Sequence, residues 1–167
     1  MTWLYPQSSF SVVGYSYTPD RGEVTGFKEN FEELQELVES SSYDDNAAFR
    51  LRSINKMFEM DWLTSSEPVK MDEQLLNKMG NFVSSSREEV TQLLVHEEYN
   101  EHTKEWLALT LHNMVSAERW IAELRSDRWK SRRELDHTYR RLHQSFARSL
   151  DTFRTFYERR SNLESEQ

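Results

Sequence analysis

Through the last hundred residues of the chain, apolar side chains return every three or four positions. The clearest run is Leu135, Tyr139, Leu142, Phe146, Leu150, Phe153 and Tyr157, spaced 4, 3, 4, 4, 3, 4. That spacing places all seven on one face of a helix. No proline follows Pro68, and Gly80 is the one glycine beyond it, so the main local breakers of a helix are nearly missing. The pattern predicts a final helix over about 131–160, some 45 Å long at 1.5 Å per residue. Ser131 and Glu134 stand at capping-box spacing, serine toward the backbone of the glutamate and glutamate back toward the serine. Before it, Leu107, Leu111, Met114 and Ile121 form another stripe, widened by Trp106, Val115, Trp120 and Leu124. Ser126-Asp127 interrupts between the two, which predicts a long antiparallel helical hairpin, coiled-coil-like in its packing.

The middle of the chain repeats the pattern in shorter pieces. A helix over about 28–40 is predicted from Phe27, Phe31, Leu34 and Val38. Ser40-Ser41-Ser42 ends it, and Asp44 or Asp45 can cap a second helix over about 45–62, with Ala47, Leu51, Ile54, Phe58 and Trp62 inward. Thr64 to Pro68 reads as a linker, and Asp72 opens a helix carrying Leu75, Leu76, Met79, Phe82 and Val83. The series 75, 79, 82, 86, 90, 93 runs through Ser84-Ser85-Ser86 and favours an unbroken helix, although Ser86 and Glu89 also have capping-box spacing. From His96 to Glu105 the only large apolar residue is Tyr99, so a turn is predicted near Asn100.

Residues 1–26 are of another kind, holding three of the four glycines and two of the three prolines. Val13, Tyr15 and Tyr17 alternate with Gly14 and Ser16, which is strand periodicity. Pro19-Asp20-Arg21-Gly22 then suits a turn back into Glu23-Val24-Thr25. The expectation is an extended aromatic arm or β-hairpin over 1–26 on a helical bundle over 27–167, all-α in class. Trp3, Tyr5, Tyr15 and Tyr17 are its candidate contact residues, against the bundle or another chain, because a lone hairpin is marginal in water.

Composition adds limits. Of 167 residues 30% are charged, which raises the question of disorder, yet 21 are aromatic, and disordered segments are poor in aromatics. Without cysteine there is no disulfide, thiol nucleophile or zinc–thiolate site. No apolar run approaches the roughly 18 residues of a membrane span. Met1 to Pro6 has no basic region or apolar run of a secretory signal, and a soluble, intracellular (by default cytoplasmic) protein is expected.

Charge is unevenly distributed. Residues 1–118 carry 21 acids and 9 bases, whereas 119–160 carry 12 bases and 6 acids, within a net charge of −8. Arg132, Arg133, Arg140 and Arg141, with Trp129 and Tyr139 nearby, form a basic stretch interleaved with aromatics. Neutralisation of this stretch by acidic helices of the same bundle is the expected arrangement. The alternative is an outward surface for phosphate or an acidic partner, and a pI near 5.2 weighs against a nucleic-acid role.

The five histidines fall between 96 and 143. Glu98, His102 and Glu105 share a helical face, and Glu134 and His137 have the Glu-x-x-His spacing of carboxylate-bridged metal bundles. That logic needs the motif twice, so these are weak ligand candidates and no metal or other cofactor is expected. Arg132 and His137 could in principle neutralise and protonate a phosphoryl group, but no further residue completes such a site. No glycine loop for phosphates and no nucleophile–base pair stands out. The sequence therefore predicts a non-enzymatic interaction or assembly protein, binding another protein or copies of itself. A nucleic-acid-binding protein using the basic last helix and a histidine–carboxylate metal bundle are the alternatives.

Overall fold

In a computed structural model the chain is a bundle of helices with one small sheet. The structure describes residues 15–40, 46–126 and 130–165. A strand β1 (Tyr15–Tyr17) leads into α1 (Arg21–Ser40). Then come α2 (Asn46–Asn55), a 3-10 turn (Lys56–Glu59), the short α3 (Asp61–Thr64) and a second strand β2 (Val69–Met71). Three long helices complete the chain: α4 (Glu73–His96), α5 (Glu101–Ser126) and α6 (Arg132–Ser165). The last two form the predicted antiparallel hairpin, the most extensive helix contact of the molecule.

Tyr15–Tyr17 is extended, as its alternation predicts, but the expected return strand over 23–25 is not there. β1 instead pairs antiparallel with β2, Tyr15 opposite Met71 and Tyr17 opposite Val69. The reason lies at Asp20. Its Oδ1 accepts from the amides of Gly22 (2.8 Å) and Glu23 (3.4 Å), and its carbonyl accepts from Val24 (2.9 Å). A side-chain cap of this kind satisfies the first free amides of a helix. It starts α1 at Arg21 despite Gly22 and Gly26, and Val24 and Phe27 bury in compensation.

α6 holds the centre. All seven residues of its predicted stripe are buried. Phe146 meets Trp62 edge to face with ring centroids 5.4 Å apart, and Tyr139 stacks on Tyr15 (5.5 Å) and Tyr17 (5.7 Å). The tyrosines therefore tie the extended segment to the bundle. Burial pushes all three phenols well above their ordinary range, so they stay neutral.

α1 runs parallel to α6, in step with it. Gln144 Nε2 donates to Glu23 Oε1 (2.9 Å), and ten residues further along both helices Arg154 binds Glu33. α5 runs the other way, with Trp120 beside Arg141 and Thr110 hydrogen-bonded to Thr152 (2.9 Å).

Other local expectations are met or corrected residue by residue. Asp72 caps α4, its carboxylate accepting from Leu75 N at 2.9 Å. α4 is unbroken through Ser84–Ser86, with Ser86 buried. The turn near Asn100 is present, and Asn100 caps α5 through Thr103 N (2.8 Å). Ser131 and Glu134 form the capping box. The continuous helix over 45–62 is corrected: it tightens after Asn55 and breaks at an extended Met60 (φ −73°, ψ 124°), while Leu51, Ile54, Phe58 and Trp62 stay buried on both sides of the break. The stripe of α5 is corrected too, running through Thr103, Leu107, Thr110, Met114, Ala117, Ile121 and Leu124 and leaving Val115 half exposed. Trp3, Tyr5, Asp44, Asp45 and Trp129 lie outside the described residues.

Candidate functional site: a basic groove between α5 and α6

On the side of α6 turned away from its buried stripe runs a polar one. His137, Arg141, Gln144 and Arg148 follow at spacings of 4, 3 and 4, so they share a face about 16 Å long. Across from them α5 presents Asn113, Ser116 and Trp120, again at helical spacing, with His112 alongside. The two stripes enclose a cavity of about 410 Å³, to which Arg140 and Ser145 also contribute. No carboxylate lines it.

Its cations are arranged by aromatic and helical contacts rather than by acids. The Arg141 guanidinium lies over the Trp120 ring, 5.2 Å from the centroid, and Arg119 approaches the same ring at 5.5 Å. Cation–π contact and the Arg141 Nε donation to His137 Nε2 (3.2 Å) fix the guanidinium without neutralising it. Arg140 has a carboxylate within reach, that of Asp136 at 3.7 Å, which also accepts from the Tyr15 hydroxyl at 2.9 Å. Arg148 has no acidic partner among the described residues. The expected internal neutralisation is thus correct elsewhere and fails here. Within 119–160, Arg154 is held by Glu33, Asp151 and Glu158 and Lys130 by Glu123 (2.6 Å).

Both serines of the lining donate to carbonyls one turn back, Ser116 to His112 O (3.1 Å) and Ser145 to Arg141 O (2.9 Å). Neither is paired with a base as a nucleophile would be. The lining offers donors of the kind that bind anions: three guanidinium groups, two imidazoles and the Asn113 amide. Guanidinium forks suit carboxylate and phosphate oxygens bidentately.

Of the residues singled out from sequence, Arg140, Arg141 and His137 belong to this groove. Arg132 and Arg133 are exposed at the start of α6 and do not line it. Tyr15 and Tyr17 are core residues, with 7% and 1% exposure, and present no free surface. The candidate ligands Glu98, His102, Glu105, Glu134 and His137 are not gathered. Among the described residues no group of three or more histidines and acids is placed to hold a metal ion. Glu134 is engaged with Ser131, and those hydrogen bonds hold its carboxyl below the usual range. His112, Gln144 and Arg148 were not singled out as site residues and Trp120 only as part of the α5 stripe; the 4, 3, 4 rhythm opposite the apolar stripe marks Gln144 and Arg148 once polar positions are read like apolar ones.

A second histidine is of the opposite kind. His143 is fully buried against Trp62 and Phe27, its Nε2 3.1 Å from Leu63 O and its Nδ1 3.9 Å from Glu23 Oε2. Burial lowers its pKa, the Leu63 carbonyl and Glu23 opposing only in part. A neutral imidazole donating from Nε2 to Leu63 fits this setting.

No protein-family model, curated protein or solved structure matches this chain. Among the described residues no helix is long and apolar enough to cross a membrane.

Proposed function

We propose that the chain is a non-catalytic interaction protein that holds a short anionic segment of a partner protein in the α5–α6 groove. The observation that carries this reading is a carboxylate-free lining of three arginines and two histidines on a chain whose net charge is −8. Arg141 and Arg148 have no carboxylate partner among the described residues, like charges repel one another, and an external anion removes that repulsion. The groove is a few helical turns long, which suits a run of three or four acidic or phosphorylated side chains. A long polyanion would extend beyond it onto acidic helices such as α1, where repulsion opposes binding.

Fluorescence anisotropy with labelled hexaglutamate, a phosphoserine peptide and a single-stranded oligonucleotide tests the reading. Saturable binding of either peptide, lost in Arg141→Ala/Arg148→Ala, supports it. No binding at low salt refutes it. An oligonucleotide bound more tightly than both peptides, with a steep salt dependence, would move the function to nucleic acid, since counterion release is the signature of phosphate-backbone contact.

A further inference from the structure

The groove has a counterpart on its own chain. Glu29, Glu32, Glu36 and Glu39 follow one another along α1 at spacings of 3, 4 and 3, which makes one stripe about 15 Å long. All four are exposed, and none makes an ion pair among the described residues. Glu33, one position off this stripe, is the acid that turns inward to Arg154. The acidic stripe is close to the basic stripe of His137, Arg141, Gln144 and Arg148 in length and opposes it in charge.

The two cannot meet within one molecule. Glu23 lies level with Gln144 and Glu33 level with Arg154, so α1 and α6 advance together. The acidic stripe is then centred beside residue 155 of α6 and the groove near residue 143, about 19 Å apart along the axis. Each chain carries both halves of a complementary pair at a fixed separation.

We infer that the groove takes the acidic face of α1 from a second copy of this chain. This rests on the reading of the groove as an anion site, and it names the anion: the Glu29–Glu39 stripe, Glu32 and Glu36 facing Arg141 and Arg148. About a two-fold axis both grooves fill together and the assembly closes as a dimer; without one it extends head to tail. Contacts made of exposed charges are screened within about 10 Å at 0.1 M salt, so the association weakens steeply as salt rises.

The test is mass in solution, by light scattering and sedimentation, at about 50 mM and about 0.5 M salt. The full chain is compared with R141E/R148E and E32K/E36K, alone and mixed. The parent is expected above 20.1 kDa at low salt and at 20.1 kDa at high salt. Each variant alone is expected to be monomeric with a parent-like melting curve, and an equimolar mixture to recover the higher mass. Hexaglutamate should bind E32K/E36K, whose groove is intact. A parent that stays at 20.1 kDa at low salt, or association that persists in both variants, overturns self-association. If a monomeric parent binds hexaglutamate, the anion groove stands and only the second copy is lost. If it neither associates nor binds the peptide, both fall.

Discussion

Two faces of one helix divide the work of α6. The face with Leu135, Tyr139, Leu142, Phe146 and Leu150 is buried, and tyrosine stacks and a Trp62–Phe146 edge contact fasten β1 and α3 to it. The face with His137, Arg141, Gln144 and Arg148 lies on the opposite side of the helical wheel and is largely open. A few residues on, Arg154 shows that an arginine of the same helix can be built into the structure, given an acidic helix beside it. Position decides, not composition. α1 brings Glu33 to Arg154, while α5 brings Asn113, Ser116 and Trp120 to Arg141 and Arg148. Stability therefore resides in one face, and the other is left largely open to solvent.

The contrast breaks most visibly at Phe146. With no exposed surface and an aromatic neighbour at 5.4 Å, Phe146→Ala should cost about 3–5 kcal/mol, much of the stability of a typical domain. Urea denaturation measures this directly. A midpoint unchanged from the parent would mean that α6 is not packed through this face.

His143 sharpens the boundary between the faces because it is a titratable group on the buried side. Its folded pKa is lowered, so the native state holds it neutral while the unfolded chain takes up a proton below about pH 6.5. The unfolded state then binds more protons, and this contribution is full above pH 6.5 and lost as pH falls toward the folded value. His143→Gln keeps a donor for Leu63 O and removes the titration. Its stability should lag the parent's most at pH 8 and approach it on acidification. A constant gap from pH 8 to pH 5.5 would show that the imidazole titrates normally in the fold.

Arg154→Ala examines the intermediate case of a paired arginine. Arg154 joins α1 to α6 with its own side chain 21% exposed, but Glu33 is 55% exposed. Solvent screening limits the loss to about 1 kcal/mol. A double-mutant cycle with Glu33→Ala separates the pair from the lost packing of the arginine stem, and a zero coupling term would make the pairing incidental.

Sequence was a good guide wherever one chain segment carries its own signal. The stripe of α6, the caps at Asp72 and Ser131, the turn near Asn100 and the unbroken run through Ser84–Ser86 are all local, and all are present. What escaped depends on partners distant in sequence. A three-residue strand cannot announce that it pairs with Val69–Met71, and the capping by Asp20 competed with an equally plausible turn. Thr110 enters the core of α5 because its hydroxyl is satisfied by Trp106 O and Thr152, which makes a polar residue admissible there. Arg140 and Arg141 were visible as a basic pair. That Arg141 would meet an indole rather than a carboxylate was decided by the register of α5 on α6, which no single helix encodes.

The smallest expected effect on stability tests the comparison most severely. Arg141→Ala/Arg148→Ala removes two guanidinium groups from the groove, neither of which has a carboxylate partner among the described residues. If the basic face were neutralised within the bundle, as a reading of charge alone anticipates, the double substitution would unpair acids and destabilise. The geometry points the other way. The losses are one cation–π contact with Trp120 and one bond to an exposed imidazole, together about 1 kcal/mol at a surface. Against these stand relief of repulsion among Arg140, Arg141 and Arg148 and the higher helix propensity of alanine. The sum should lie within about 0.5 kcal/mol of zero, the range of ordinary surface substitutions. Matched melting curves at low and high salt check it, because salt should stabilise the parent more than the variant once repulsion is screened. A loss above about 2 kcal/mol would place these arginines in the architecture and withdraw the groove as a binding face.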